Sequence, residues 1–138
     1  MVLEEAMRLY PPAWSVSRKV AHNTIMKGYD FKKGAQLVLD AYTLHRHPDY
    51  WENPAAFEPE RFEPEEKKKR HKYAYIPFGA GQRMCIGNNF AMMEMKIVLV
   101  LFLQQFKISL AKNAPEVVPE PLINLRPKND ILMDISSL

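Results

Sequence analysis

Residues 78 to 87 read Phe-Gly-Ala-Gly-Gln-Arg-Met-Cys-Ile-Gly, and this segment constrains the fold of the chain more than any other. It contains Cys85, the only cysteine of the chain, so an intramolecular disulfide is excluded. The glycines at 79, 81 and 87 allow tight turns and a close approach of the backbone to a flat ligand. A thiolate is favoured beside a cation and before a helix, and Cys85 follows Arg83 and precedes a long apolar segment. The pattern therefore predicts a thiolate that binds a metal. The alternative for a lone cysteine is a buried, inert residue.

Composition narrows the class of protein. The 138 residues, with a mass of 16.1 kDa, are enough for one domain with a core of its own. A chain that is 47% hydrophobic and 25% charged is expected to be ordered. The net charge of +3 is small and no basic helix carries interleaved aromatic residues, so nucleic acid is not an expected partner. A single cysteine argues against a disulfide scaffold and is typical of a reducing compartment. Acidic residues come too early for a signal peptide.

The first part of the chain carries one helical pattern and then several extended ones. Apolar residues at helical spacing predict a helix over 1–10, which the proline pair at 11–12 ends. Short strands are expected over 17–40, and a helical turn is expected at 41–45. Within the extended region the turns are predicted at 27–28 and 32–34, and the clearest strand at 36–39.

The second part of the chain begins with prolines and ends with strands. Prolines between 48 and 64 forbid regular ladders while aromatic residues there need burial, which predicts ordered coil. Residues 65–72 are interpreted as a charged loop. The apolar run 90–103 predicts a helix, and because a membrane span needs about 20 apolar residues, burial inside a protein is the favoured environment. Two strands are predicted in the tail, at 122–125 and 131–135, joined by a turn at 128–130.

The cysteine segment matches a known family pattern. The pattern Phe-x-x-Gly-x-Arg-x-Cys-x-Gly is met by Phe78, Gly81, Arg83, Cys85 and Gly87. The chain thus resembles the C-terminal part of a cytochrome P-450, a haem-thiolate monooxygenase. The resemblance implies haem b as cofactor and Cys85 as its iron ligand. It also implies a set of cofactor-binding residues, in which the arginines would hold the haem propionates: Arg18, Phe78, Gly79, Arg83, Cys85, Ile86 and Gly87.

Two further motifs agree with the resemblance. Glu5 and Arg8 match the family's Glu-x-x-Arg helix motif, and residues 59–62 match its Pro-Glu-Arg-Phe motif. Spacing alone would make Glu5 and Arg8 a surface pair worth well under about 1 kcal/mol. The resemblance implies instead that Glu5, Arg8 and Arg61 form a buried charge triad that holds the fold around the haem.

Two charged segments allow competing interpretations. The run His45-Arg46-His47-Pro48 invites a metal hypothesis, but no second cysteine or carboxylate cluster accompanies it, and the resemblance implies a structural role. The basic run Lys67, Lys68, Lys69 and Arg70 is either a solvated segment or, as the resemblance implies, a contact for an electron-donor protein.

The resemblance covers nearly the whole chain but only the last third or less of a family member. The expected fold is therefore mainly α with small β hairpins, as one partial domain over 1–138, without the oxygen-activating I helix and the N-terminal portion. The family reaction would insert one oxygen atom from O2 into an organic substrate, and the chain alone is expected to be inactive. The alternatives are a truncated haem-binding or structural remnant and an interaction module. The substrate is not indicated, and a cytoplasmic location is expected only for a bacterial-type protein.

Overall fold

The computed structural model describes residues 1–138, which form four α-helices, two short 3-10 helices and four two-stranded antiparallel sheets. The α-helices are α1 (Val2–Leu9), α2 (Ala41–Leu44), α3 (Pro64–Lys69) and α4 (Asn88–Leu103). The strands are β1 (Ser15–Lys19), β2 (Thr24–Met26), β3 (Tyr29–Phe31), β4 (Gln36–Asp40), β5 (Phe106–Leu110), β6 (Pro119–Pro121), β7 (Leu125–Pro127) and β8 (Met133–Ser137). Short 3-10 helices lie at Pro59–Phe62 and Gly81–Arg83.

Helix α1 lies where the apolar spacing predicts it and ends before the proline pair. Acidic residues occupy its first turn and Arg8 its last, which complements the helix dipole. Its inner face is unusual because it buries Glu5 and Arg8 beside Met7 and Leu9. A short helix whose charged residues face inward depends on partners elsewhere in the chain, and these partners form the site described below.

The extended region contains short strands with turns, as predicted, and these strands pair as two nested hairpins. Strands β1 and β4 pair antiparallel, with Ser17 opposite Val38, and the smaller β2–β3 hairpin lies between them in sequence. Lys27 and Gly28 both have positive φ angles, 48° and 83°, which is the geometry of a two-residue hairpin turn. The predicted helical turn after β4 is α2, and the side chain of Asp40 caps it by accepting a hydrogen bond from the amide of Thr43.

The core lies in the proline-rich coil between α2 and α3. Trp51 and Phe62 are buried, with ring centroids 5.9 Å apart, and Tyr75 packs edge-on against Phe62 at 4.8 Å. The predicted burial of aromatic residues in this coil is confirmed for Trp51 and Phe62, but Phe57 is 52% exposed. Only 12 of 138 residues are buried, so this small cluster and its charged neighbours hold the chain together.

The charged segment after the coil is a helix up to Lys69, so the prediction of a loop over 65–72 was wrong for 65–69 and holds only for 70–72. Pro64 opens α3 at a position where its missing amide costs nothing, with glutamates in the first turn and lysines in the last. Lys68 pairs with Glu65 at 2.7 Å and Lys69 with Glu66 at 2.5 Å, each three residues apart. The order of the charged residues, glutamates before lysines, stabilises this helix, which has no apolar periodicity.

The predicted apolar helix is present as α4, but none of its residues is buried, so the expected burial does not hold within this chain. Phe90, Val98 and Leu101 are among its exposed apolar side chains. No helix of the structure has the length and apolar character that crossing a membrane requires.

The tail pairs differently from the prediction. Strands β6 and β7 form a hairpin in which Pro121 faces Leu125, so residues 122–124 form the turn and not a strand. Ile123 at that tip is almost fully exposed. Strand β8 begins at Met133 and pairs with β5, where Ile108 faces Ile135. The two predicted strands therefore do not pair with each other. Strand β8 pairs instead with β5, which lies further away in sequence than the preceding segment.

Candidate functional site

The cysteine loop is closed by its own backbone. Gly79 and Gly81 adopt φ angles of +75° and +70°, which glycine tolerates and other residues rarely adopt. The amide of Gly79 donates to the carbonyl of Ile76 at 2.9 Å, and the amide of Met84 donates to the carbonyl of Gly81 at 3.1 Å. The amide of Cys85 donates to the carbonyl of Phe78 at 2.9 Å, which joins the two ends of the loop. The glycines are therefore required by the turn itself.

The thiol of Cys85 is presented to the outside at the start of α4. Cys85 is exposed, and α4 begins three residues later with Gly87 at its N-cap. A Cβ atom added to Gly87 would lie 3.8 Å from the cysteine sulfur, so Gly87 leaves the space beside the sulfur open. The free amides of a helix N-terminus favour negative charge, which suits a thiolate at this position.

The remaining predicted cofactor residues divide into two groups. Phe78, Gly79, Arg83 and Ile86 share the loop with Cys85, where Phe78 is half-buried and Ile86 is fully exposed. Arg83 is exposed and forms no hydrogen bond or ion pair. Arg18 lies apart on β1, exposed, with a hydrogen bond to the carbonyl of Ser17 at 2.8 Å.

Arg8 uses all of its hydrogen-bonding capacity inside the protein. Its Nε and Nη2 atoms donate to the two carboxylate oxygens of Glu5 at 2.7 and 2.8 Å. Its Nη1 and Nη2 atoms also donate to the carbonyls of His45, Pro54 and Ala56, at 2.8, 2.8 and 2.9 Å. A guanidinium has five N–H groups, so the side chain is satisfied and ties α1 to three points of the chain.

Glu5 is the anion around which the predicted triad gathers. Its Oε1 atom accepts from the amide of Glu58 at 2.9 Å and lies 3.6 Å from Nε of Arg61. Arg61 also pairs with Glu58 at 2.8 Å. Burial works to raise the pKa of Glu5, but the hydrogen bonds from Arg8 and the Glu58 amide, with the charges of Arg8 and Arg61, lower it overall. Glu5, Arg8 and Arg61 are thus brought together with the carboxylate ionised.

The sequence indicates only a structural role for His45, and the structure shows which contacts give it that role. The imidazole is fully buried, its Nε2 accepts from the amide of Ile76 at 2.8 Å, and its Nδ1 lies 3.3 Å from the carbonyl of Arg8. Burial, with Arg8 and Arg46 close by, lowers the pKa of His45 to about 4. Both ring nitrogens are therefore engaged in a neutral ring. No three His, Cys, Asp or Glu side chains cluster in a way that could hold a metal ion.

The basic run on α3 is largely paired with glutamates. Lys67 reaches Glu4 on α1, while Lys68 and Lys69 pair within the helix. Arg70 has no carboxylate partner and stacks over the Trp51 ring, 3.9 Å from its centroid. The lysines remain 44% or more exposed, so they are available to a partner from outside.

The donor set of the cysteine loop fits a haem. A single soft thiolate without histidine or carboxylate neighbours does not build a tetrahedral zinc site, which needs three or four protein ligands. A single cysteine thiolate would be a sufficient protein ligand for a haem iron. Arg83, in the same loop, is exposed and has no side-chain partner, and a guanidinium of this kind can bind a carboxylate.

The fold and the site combine small hairpins, a buried Glu–Arg pair and a cysteine in a glycine-rich loop before a helix. Comparisons with known proteins show the family in which this combination occurs. The family model described as cytochrome P450 matches residues 1–133. The chain is 43% identical over 135 residues to a probable cytochrome P450 4p3 of Drosophila melanogaster, covering 94% of this chain and 25% of that protein. It is also 43% identical over 130 residues to cytochrome P450 4V2 of Homo sapiens, with the same coverage of both chains.

Solved structures show the same similarity. The heme domain of cytochrome P450DA superposes with a TM-score of 0.90 at 32% identity, covering 99% of this chain and 30% of that one. The retinoic acid-bound cyanobacterial CYP120A1 gives a TM-score of 0.91 at 32% identity, covering 99% of this chain and 32% of that one. The chain belongs to the cytochrome P450 family, whose members are haem monooxygenases. It spans about a quarter of the length of the curated relatives it matches.

Proposed function

We propose that this chain is the haem-thiolate portion of a monooxygenase, in which the Cys85 thiolate would be the protein ligand of the iron of haem b. The observation that carries the proposal is the closed loop 78–87, which presents an exposed sulfur at the N-terminus of α4. When bound, the haem supplies the chemistry that inserts one oxygen atom from O2 into an organic substrate, with electrons from a redox partner.

The residues of the loop are proposed to hold the thiolate. The amide of Cys85 donates to the carbonyl of Phe78, which fixes the backbone next to the sulfur, and the half-buried Phe78 ring is proposed to limit the access of water to it. Gly87 keeps the neighbourhood of the sulfur free of side chains. Arg83, and Arg18 from β1, are proposed to bind the haem propionates, since a guanidinium holds a carboxylate through two hydrogen bonds.

The Glu5–Arg8–Arg61 triad is proposed to act as the support of this loop and not as part of the chemistry. It is fully buried at Glu5 and Arg8, and it anchors the coil carbonyls at 54 and 56 that surround the aromatic core. The segment that leads from this core into the cysteine loop contains Ala74 and Ile76, which are both buried. Support of this kind keeps a ligand within the narrow geometry that metal binding needs.

A second candidate function is a haem-binding or structural polypeptide without turnover. Two observations favour it for the chain taken alone: α4 buries none of its residues, and the chain matches about a quarter of each curated relative. Under this proposal the substrate-binding and oxygen-activating residues of the family lie in other parts of those longer relatives. Product formation with peroxide or a surrogate reductase separates the two, because the second function predicts none.

Haem ligation by Cys85 is tested by one spectrum. After haem is added and reduced, the carbon monoxide difference spectrum of the protein should show the strongly red-shifted Soret band of thiolate ligation, and Cys85→Ser should abolish it because a hydroxyl does not ionise to a comparable ligand. Met84→Ser, at the exposed neighbouring position, is the matched control and should keep the band. A band that persists in Cys85→Ser would overturn the proposal.

The lysines of α3 are proposed to contact an electron-donor protein with an acidic surface. Reversing Lys68 and Lys69 to glutamate should lower the association rate with such a donor several-fold at low salt, with the difference shrinking as ionic strength rises. Stopped-flow measurement of the association rate checks this. Lys112→Glu, an exposed lysine between β5 and β6, is the control, and an equal effect there would contradict a contact at α3.

A further inference from the structure

His45 connects three segments that lie far apart in sequence. Its Nε2 accepts a hydrogen bond from the amide of Ile76, and its Nδ1 faces the carbonyl of Arg8 at the end of α1. Its own carbonyl accepts from Nη1 of Arg8 at 2.8 Å, so α1 and α2 bind each other through this residue in both directions. A fully buried imidazole with both nitrogens engaged has one tautomer that satisfies both bonds, with the proton on Nδ1.

Ile76 is the point at which this connection reaches the cysteine loop. The amide of Ile76 donates to Nε2 of His45, and the carbonyl of Ile76 accepts a hydrogen bond from the amide of Gly79 in the first turn of the loop. Phe78, between them, accepts the amide of Cys85. Three successive hydrogen bonds, the first of them to the imidazole, therefore connect His45 through the loop backbone to Cys85.

We propose that His45 is a positioning residue that fixes the base of the cysteine loop to α1, and thereby sets how the loop presents the Cys85 thiolate. The inference rests on the proposed function of Cys85 for its consequence, but its geometry is independent of any haem. No other side chain bonds to the backbone of residues 74–79. His45 thus anchors the backbone at the base of the loop and links it to the Glu5–Arg8 pair. The hydroxyl of Tyr75, which donates to the carbonyl of Glu4 at 3.0 Å, is a second side-chain connection between this base and α1.

The anchor depends on the neutral ring. Protonation would place a hydrogen on Nε2 against the Ile76 amide, which also carries one, and the bond would be lost. The charged and titratable groups that surround the ring are Arg8 and its partner Glu5 on α1, Arg46 after α2, and Tyr75, whose ring centroid is 5.2 Å away. Burial and the two arginines oppose a second positive charge, so the pKa in the folded protein is about 4.

The sign of the pH dependence follows from that pKa. An unfolded histidine titrates near about 6.5, so between these values the unfolded chain binds a proton that the folded chain does not. The stabilisation from His45 is therefore fully present above about pH 6.5 and is lost progressively as the pH falls towards about 4. The base of the loop should open in the same range.

Amide hydrogen exchange of the full chain without added haem tests the inference. His45→Asn retains a donor near the Arg8 carbonyl but is too short to reach Ile76, so protection over residues 76–85 should fall by at least about tenfold at neutral pH. His45→Gln is long enough to accept the Ile76 amide with its carboxamide oxygen and does not titrate. It should keep more of the protection and lose the acid-dependent opening that the unchanged protein shows.

The control variant for this inference, and the results that would contradict it, differ from those of the haem-ligation test. His47→Asn, two residues away and exposed, should leave protection over 76–85 unchanged. Equal protection in His45→Asn and the unchanged protein would overturn the inference, and so would an acid-dependent opening that persists in His45→Gln. If His45→Asn does not fold, the pH profile of His45→Gln decides alone. With haem, His45→Asn should also shift intensity away from the thiolate Soret band, whereas absence of that band in the unchanged protein would refute only the role of Cys85.

Discussion

Replacing Glu5 with glutamine should lower the free energy of unfolding by about 3–5 kcal/mol, since removal of one partner leaves a buried charge without compensation. Arg8 has no exposed surface, and Glu5 supplies the only carboxylate it contacts. Glutamine keeps the size of the side chain and one acceptor oxygen. The loss in free energy of unfolding therefore measures the removal of the charge and of the second hydrogen bond, and not the creation of a cavity. Urea unfolding followed by circular dichroism measures it.

Glu4 offers the matched control for this change. It precedes Glu5, pairs with Lys67 near the surface and keeps about a fifth of its side chain exposed. Glu4→Gln should cost less than about 1 kcal/mol, because an exposed ion pair gains little over its hydrated partners. Equal losses from the two substitutions would contradict the view that the triad is a buried network.

The charge of Glu5 also gives a pH dependence with a defined direction. Its pKa in the folded protein lies below the ordinary value, so its contribution to stability is present above that ordinary value and is lost as the pH falls through the lowered one. This range lies below the His45 range. Stability of the unchanged protein should therefore fall in two overlapping steps on acidification, and Glu5→Gln should remove the lower one.

Short-range sequence patterns were sufficient to predict two parts of the site, the cysteine loop and the Glu5–Arg8 pair. The cysteine loop is a contiguous ten-residue pattern whose glycines the turn needs, and the structure places Gly79 and Gly81 at positive φ. Glu5 and Arg8 meet because they lie three residues apart on one helix. In both cases the spacing along the chain already fixes the distance in space.

The rest depends on partners that are distant in sequence. His45 has its role through partners 31 and 37 residues away, and no local spacing indicates either bond. The same cause explains the tail, where β8 pairs with β5 and not with the segment before it. The burial expected for α4 was inferred from its apolar composition, which does not indicate what would cover the helix, and in the structure none of its residues is buried.

Trp51 should be the most sensitive apolar position. Trp51→Ala should lower the free energy of unfolding by about 3–5 kcal/mol, as expected for a large aromatic residue removed from a core. Trp51 is 1% exposed, contacts Phe62 and Tyr75, and carries the guanidinium of Arg70 at 3.9 Å from its ring centroid. With so few buried residues in the chain, no neighbouring side chain can refill the space.

Trp51→Phe separates the aromatic contacts from the indole nitrogen. The indole Nε1 is buried without a hydrogen-bond partner, so its removal takes away an unsatisfied donor while a ring remains for Arg70. The cost should be only about 1–2 kcal/mol, from the smaller volume. Phe57→Ala, at a half-exposed position of the same coil, should cost no more than about 1 kcal/mol. A loss from Trp51→Phe as large as that from Trp51→Ala would mean that the nitrogen has a partner, and that the core is held by a polar contact and not by stacking.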